Sequence, residues 1–561
     1  MPIKNSARTL TKRRRASVVV CQQECLLGVK LRDPVSGQVR VYLPGGKIER
    51  GERPATAARR ECLEETGFRV VVAANKFTHH KVLRYPFFWA GQVVDCTTDF
   101  FCGTLKDPDC QPDPISDDPV LNLGAVWIPF SEVREVFGYH QGMLDVILQF
   151  IDPAVLPPEK SVLCAFSAFK GTMSAVQACV AAADSVRAAG WSATELPLAD
   201  GGRGSRDLWT IGMNRNGVSS RILDVQTVDP LGRPTVARVG MSDRGGEVFI
   251  ESADCLGMHL IGPPSPATAM VASSRGLGLL LRDLSRRLPA GAAVNIGLGD
   301  SAVSDCGVGL LLALGFKILI LGEDQVEPID ESAFNSALLE RVVEIQEPSS
   351  GTDAHRDLIA LKNFKWTVLC DVNHALSGAG KGTLGAARVF APQKGALFAQ
   401  VESLDRGFKE MAQIFDDFDD FDDFDDSASG AVPWRKAKHG GASGGVAAAL
   451  GCVFDAQLVS GAEWLLESTG FDELLATHRL VLTGEGSSDA QSIGGKAAFV
   501  CAHRAMLAGV RTEIISGCVN LGRWPAWMKQ FLGDAVASGR EPDAVAALKE
   551  AIDFKLRNRS T

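Results

Sequence analysis

Apolar and β-branched residues crowd positions 16–30 (SVVVCQQECLLGVKL) and 40–43, and this pattern predicts strands. A Gly-Gly turn follows, then a strongly helical stretch over 54–66. More strand-like pieces fall at 82–83, 87–94 and 125–128, before a last helix over 131–151. Together these make a compact α+β unit over 16–152. Three prolines within 152–159 predict a stiff, extended linker over 153–160. From 161 the pattern changes. Short apolar strands (162–166, 248–251, 293–298, 367–370, 480–483) alternate with Ala/Leu-rich helices, and several end in glycine-rich turns. That alternation predicts open parallel α/β sheets with ligands at the carboxyl ends of the strands. So long a stretch, 161–561, is too much for one sheet, so two lobes around a cleft are expected.

Composition narrows the class. The chain has 561 residues, 46% hydrophobic and 22% charged, which is globular protein with real cores. Its formal net charge of −9 speaks against a general nucleic-acid binder. Eight of the acids lie in one tract, 415–426 (FDDFDDFDDFDD), so the rest of the chain is nearly neutral. An acidic insertion over 415–430 is expected, since self-repelling carboxylates with spaced aromatics build no core. No apolar run approaches the roughly 20 residues of a membrane span; 306–321, broken by Lys317, reads as a buried helix followed by a strand. The 14 cysteines are scattered singly, without C-x2-C pairs, which points to reduced thiols in a cytoplasmic protein. Residues 1–15 are a basic leader (Lys4, Arg8, Lys12, Arg13, Arg14, Arg15) whose lack of acids is also compatible with organellar import.

The first chemical constellation runs from Gly46 to Phe68. On a helix, Glu61, Glu64 and Glu65 lie at i, i+3 and i+4, so all three carboxylates face one way. Three hard oxygen ligands on a rigid face suit Mg²⁺ or Mn²⁺. Arg60 and Glu52 are placed to pair, and Gly67 to cap the helix. Three glutamates alone read most simply as a charged surface stripe. All nine fixed positions, however, match G-x5-E-x7-R-E-U-x-E-E-x-G-U, and residues 46–68 resemble a Nudix box. The resemblance implies an α/β/α sandwich and Mg²⁺-dependent hydrolysis of a nucleoside diphosphate linked to some moiety X. Its metal-binding glutamates carry over onto Glu61, Glu64 and Glu65, the last also being a candidate catalytic residue. His79-His80 read as solvated loop residues rather than phosphate ligands.

The second constellation is a series of glycine-rich or polar clusters at predicted strand ends. They are Phe169-Lys170-Gly171; Ala199-Asp200-Gly201-Gly202; Gly299-Asp300-Ser301 through Asp305; Cys370-Asp371; Pro392-Gln393-Lys394; and Thr483-Gly484-Glu485-Gly486 with Asp489, Gln491, Ser492 and Lys496. Glycines let backbone N–H groups close on phosphates, lysines add point charge, and aspartates hold Mg²⁺ or accept a hydroxyl proton. No Walker A motif is present. In order and spacing the clusters resemble glycerate kinase of the first, bacterial-type class, from about Val162 to Asn520. This implies a two-lobed α/β fold and transfer of the ATP γ-phosphate to D-glycerate, usually giving 2-phosphoglycerate. Asp200 or Asp305 is the expected base or metal ligand; Lys170, Lys394 and Lys496 are the expected phosphate and carboxylate charges. The family's motifs are altered at Ser167, Arg203, Ser304, Asn373-His374 and Ser487. The Asp→Ser and Glu→Arg changes lead us to expect a cleft less able to hold a cation. The reading is therefore a glycerate kinase fused to a Nudix hydrolase, acting on small molecules, with neither nucleic acid nor membrane as partner. Its rival is a kinase-like binding or scaffolding module that has lost turnover.

Overall fold

A computed structural model describes residues 10–72, 80–107, 112–113, 115, 118–151, 160–169, 171–215, 217–322, 325–330, 334–378, 384–418, 432–489, 492, 495–520, 536–537 and 544–557. Lys170, His79, Gln491, the linker at 152–159 and most of the acidic tract (419–431) lie outside the described residues. Two compact units are distinguished. The first comprises 1–196, 472–490 and 501–561; the second comprises 197–471 and 491–500.

In the amino-terminal part of the first unit, β1 (Lys12–Gln22) runs parallel to β7 (Gln92–Leu105). It also pairs antiparallel with β2 (Cys25–Arg32) and β4 (Gly45–Lys47). Strands β3 (Val39–Tyr42) and β8 (Asn122–Pro129) pair with β2; β5 (Val70–Val72) and β6 (His80–Trp89) pair with β7. Alternation along β1 builds two cores. Ala16, Val18 and Val20 pack with Ala57, Ala58 and Cys62 of α1 (Pro54–Thr66). Val19 packs with Met143, Leu144 and Ile147 of α3 (Gln141–Ile151). The sheet is thus sandwiched between helices, as expected. The expected helix over 131–151 is broken: α2 (Val133–Phe137) stops at Gly138, and α3 starts at Gln141. The basic segment 12–15, assigned above to the leader, belongs to β1, where each residue pairs with one of Asp95–Thr98.

The same unit holds an all-parallel five-stranded sheet, ordered Ser192–Glu195, Ser161–Phe166, Leu480–Gly484, Arg511–Ser516, Val536–Ala537. Helices Ala175–Ala188 and Ala544–Arg557 cover it, with Leu548 and Ile552 packed near Cys164 and Leu482.

The second unit has a six-stranded sheet, ordered Ser220–Val228, Pro234–Ser242, Glu247–Glu251, Ala293–Gly297, Lys365–Cys370, Gln457–Ser460. Its last four strands are parallel, but the first two form an antiparallel hairpin, a departure from the wholly parallel expectation. The turn explains it. Asp229 Oδ1 accepts the amides of Leu231 and Arg233, both at 2.9 Å, closing DPLGR into a reversal. The 306–321 segment is helix Val308–Ala313 followed by strand Lys317–Leu321, as read. Phe415 and Asp416 of the acidic tract are buried in the last turns of helix Phe398–Phe418, so the insertion starts later than 415. Asp416 accepts the amide of Trp434 at 2.6 Å. All described cysteines are free thiols, and no helix among the described residues is long and apolar enough to cross a membrane.

Candidate active sites

Arg60 organises the first site. Its guanidinium makes a fork to Glu52 (3.1 and 3.0 Å), reaches Glu61 at 2.9 Å and Glu64 at 2.8 Å, and donates to the Lys47 carbonyl at 3.0 Å. The loop 46–52 is thereby held on α1. Gly46 allows the approach, because a Cβ there would strike the Glu61 carboxylate. Gly67 ends α1 at φ 74, with its amide on Leu63 O, and a Cβ there would strike Asp113 O. Burial pushes the Glu61 carboxyl up, against the pull of Arg60.

The three carboxylates do not all point the same way. Glu65 is buried and turned to the amide of Gly45 (2.8 Å), and among the described residues no three His, Cys, Asp or Glu side chains cage a metal. Glu61 and Glu64, however, converge on one cationic nitrogen of Arg60. Two convergent carboxylates completed by waters and substrate phosphates are a donor set that suits Mg²⁺. His80 is not merely solvated: its Nε2 lies 2.9 Å from Asp99 Oδ1, and its ring stacks on Phe101. Arg15, counted above as leader, was missed. It donates to the Gly45 carbonyl beside the box, its guanidinium lies 5.5 Å from the Phe87 ring centre, and its buried Nε has no partner among the described residues. The signal available was its place directly before Ala16, where the apolar alternation of β1 begins.

In the second unit, two loops at carboxyl ends of strands lie backbone against backbone. Gly299 N donates to Gly201 O at 3.0 Å, and a Cβ on Gly299 would lie 2.5 Å from Gly202 Cα. Asp200, Gly201, Gly202, Gly299 and Ser301 are therefore brought together. Gly201 takes φ +101, and its amide is held by Ser205 Oγ at 3.0 Å. Buried Glu251 accepts the amides of Gly204 and Ser205, fixing the start of helix Ser205–Arg215. Asp200 Oδ1 and Asp300 Oδ2 both flank Gly202. Asp300 stands at φ +60 and places a carboxylate next to Arg203, whose amide it accepts.

Asp305 is wholly buried. It accepts Ser274 N (2.7 Å), Ser274 Oγ (2.8 Å), Gly307 N (3.1 Å) and Gly309 N (3.2 Å). Burial pushes this carboxyl up despite those donors. With both oxygens engaged, it positions the turn into helix Val308–Ala313. Lys394 is buried too, donates to Val303 O, and is pushed down to about 8 by burial, with Asp371 and Asp305 pulling the other way. Gln393 is exposed on the turn Pro392–Lys394. Lys496 is half-buried and precedes helix Ala497–Leu507, next to Gly495, which approaches the Asn373 amide.

Sequence reasoning missed a further loop, His439-Gly-Gly-Ala-Ser-Gly-Gly445. Ser443, Gly444 and Gly445 are successively left-handed (φ 51, 62 and 93), the Gly444 carbonyl accepts Cys306 N, and the buried Ser443 Oγ has no partner among the described residues. Four glycines in seven residues ahead of the apolar helix Val446–Phe454 were the available signal.

In the first unit, Gly484 closes strand Leu480–Gly484 with Glu485 and Asp489 after it, and the Gly484 carbonyl accepts Ser167 N at 2.9 Å. A Cβ on Gly484 would strike Ile515 O, so the turn requires glycine.

Residues 162–554 match the model of the Glycerate kinase family, and residues 11–150 match the NUDIX domain. The chain belongs to the glycerate kinase family. It is 30% identical over 362 residues to the glycerate kinase of Bacillus subtilis strain 168, covering 64% of this chain and 85% of that protein. It is 32% identical over 305 residues to the glycerate 2-kinase of Escherichia coli K12, covering 54% and 70%. The structure of a glycerate kinase 2 from Salmonella typhimurium LT2 superposes with TM-score 0.52 at 27% identity, covering 72% of this chain and 97% of that one. The glycerate kinase domain therefore follows an amino-terminal NUDIX domain in one polypeptide.

Proposed function

We propose that the chain transfers the ATP γ-phosphate to D-glycerate, giving 2-phosphoglycerate, and that its NUDIX domain hydrolyses a nucleoside diphosphate derivative with Mg²⁺. The observation that carries the first part is the family match over 162–554 combined with the retained Asp200, Asp371 and Lys394. The name of the Escherichia coli relative supports the 2-position.

In this reading Asp200 receives the proton of the attacking glycerate hydroxyl, because its carboxylate is only half-buried at a glycine turn. Asp305 holds the loop instead, its oxygens being spent on amides. Lys394, Lys496 and Lys170 bring positive charge to phosphate and carboxylate oxygens, where fixed electrostatics does most of the work of phosphoryl transfer. In the NUDIX domain, Glu61 and Glu64, with Glu65 behind them, would hold Mg²⁺, which supplies neutralisation of the diphosphate and activation of water. Arg60 keeps those carboxylates in place, and Arg15, held on the Gly45 carbonyl, adds positive charge beside the box.

The test is a coupled assay with D-glycerate, ATP and Mg²⁺ on the purified chain and its Asp200→Asn variant. Turnover in the range of about 1–100 s⁻¹ is expected for the parent, falling at least a hundredfold in the variant with an unchanged Tm. Near-normal turnover in D200N would remove Asp200 from its role. No phosphoglycerate from the parent would favour the binding-module reading.

A further inference from the structure

A cavity of about 450 Å³ opens in the first unit, within the size range of ligand pockets. One wall belongs to the NUDIX domain, with the rings of Tyr42, Phe87 and Tyr139. The opposite wall comes from the glycerate kinase domain, through Leu475, Ala476 and Arg504. The walls are joined. Asp145 pairs with Arg479, the Gly142 amide donates to Ala508 O at 3.3 Å, and a Cβ on Gly509 would strike His140.

The lining has a definite chemistry. Aromatic faces accept a flat ring by stacking. Arg40, 4.9 Å from the Tyr139 ring centre, and Arg504, 2.7 Å from Asp472, place two guanidinium groups on the lining. Gln141 is 2% exposed; its amide nitrogen donates to Asp145 at 2.8 Å, leaving a buried carbonyl oxygen without a donor among the described residues. A ligand that supplies an N–H there satisfies it. Arg15 links the lining to the box: its guanidinium lies 5.5 Å from the Phe87 ring centre and donates to the Gly45 carbonyl, and the Gly45 amide donates to Glu65.

We infer that this cavity takes the nucleoside part of the NUDIX substrate, with its phosphates directed toward Arg15, and that Ala476 and Arg504 of the kinase domain set its specificity. The inference rests on the NUDIX hydrolase reading and deepens it. The hydrolase site is completed by the domain fused to it, so the fusion is a structural requirement of substrate selection. Ring, N–H donor and anion together define a nucleotide, and a purine gives the larger stacking face.

The experiment uses the full chain, titrated calorimetrically with GMP, because an adenine nucleotide would also occupy a kinase's ATP site. Steady-state hydrolysis of GDP-mannose and the glycerate kinase assay run in parallel. Two variants close the kinase-side wall independently: Ala476→Trp fills the cavity, and Arg504→Gln removes a charge. Expected are one GMP per chain for the parent and at least tenfold weaker binding in each variant. KM for GDP-mannose should rise at least tenfold with kcat within twofold, and glycerate phosphorylation should be unchanged, which also reports correct folding. GMP binding that is absent at millimolar concentration, or equal in the parent and both variants, overturns the inference. Loss of GMP binding in the variants, without GDP-mannose hydrolysis by the parent, would keep the cavity assignment and count against the hydrolase reading instead.

Discussion

Lys394 is charged at neutral pH only narrowly. Burial brings its ammonium down to about 8, with Asp371 and Asp305 limiting the fall. If that charge serves phosphoryl transfer, kcat/KM for glycerate should decline as pH rises through about 8. Unfolding is not the cause of such a decline. The unfolded lysine keeps its proton to about 10.4, so between the two values the unfolded chain binds more protons and this group adds stability as pH rises. A Tm that holds while activity falls between pH 7.5 and 9.5 is the expected pair of results; a flat rate profile removes Lys394 from the reaction. At Gly46 the constraint is steric. A Cβ there would land on the Glu61 carboxylate, so Gly46→Ala must push Glu61 off its shared point with Glu64. Diphosphate hydrolysis should drop at least tenfold while glycerate phosphorylation stays unchanged, both measured on one preparation. Hydrolysis at the parent rate would show that Glu61 is free to move.

Turns and helix starts show what the sequence carried and what it hid. Strands 162–166, 248–251, 293–298, 367–370 and 480–483 were legible within three residues at each end, because each is a short β-branched run bounded by polar or glycine turns. The hairpin Ser220–Val228/Pro234–Ser242 was not, since its register depends on the Asp229 side chain closing the turn. The break between α2 and α3 was equally hidden. There the chain turns through Gly138-Tyr139-His140, and His140 Nδ1 accepts the Met143 amide at 3.1 Å, a capping interaction set by tertiary burial. Asp305 marks the same limit at a site. Its type and spacing suggested chemistry, whereas only the fold reveals four donors around it. Replacing Asp305 with Ala strands those buried donors, and a loss of about 3 kcal/mol is expected for a satisfied buried acceptor of this kind. The denaturant midpoint of D305A should fall accordingly with an unchanged slope. A midpoint equal to the parent's would mean that solvent reaches those amides.

For the whole chain, the two chemistries depend on separate side chains, and that separation is testable. Motif order made both domains legible: nine fixed positions in 23 residues define the NUDIX box, and six clusters in fixed order define the kinase. Neither pattern revealed that residues 472–490 and 501–561 gather with residues 1–196 into one compact unit, because contacts so distant in sequence leave no local signature. Glu64 is the residue to separate them with. It is partly exposed, it meets Arg60 at 2.8 Å, and neither compact core uses it. Glu64→Gln keeps the side-chain shape and removes one of the two convergent charges. Diphosphate hydrolysis should fall at least a hundredfold, with phosphorylation of D-glycerate within twofold of the parent. D-glycerate should still raise the Tm of E64Q as it does the parent's, because a ligand at one hundred times its Kd adds about 2.7 kcal/mol to the state that binds it. If E64Q also lost glycerate phosphorylation while keeping that thermal shift, the two sites would be energetically coupled through the first unit, which holds the NUDIX domain and the five-stranded kinase sheet together.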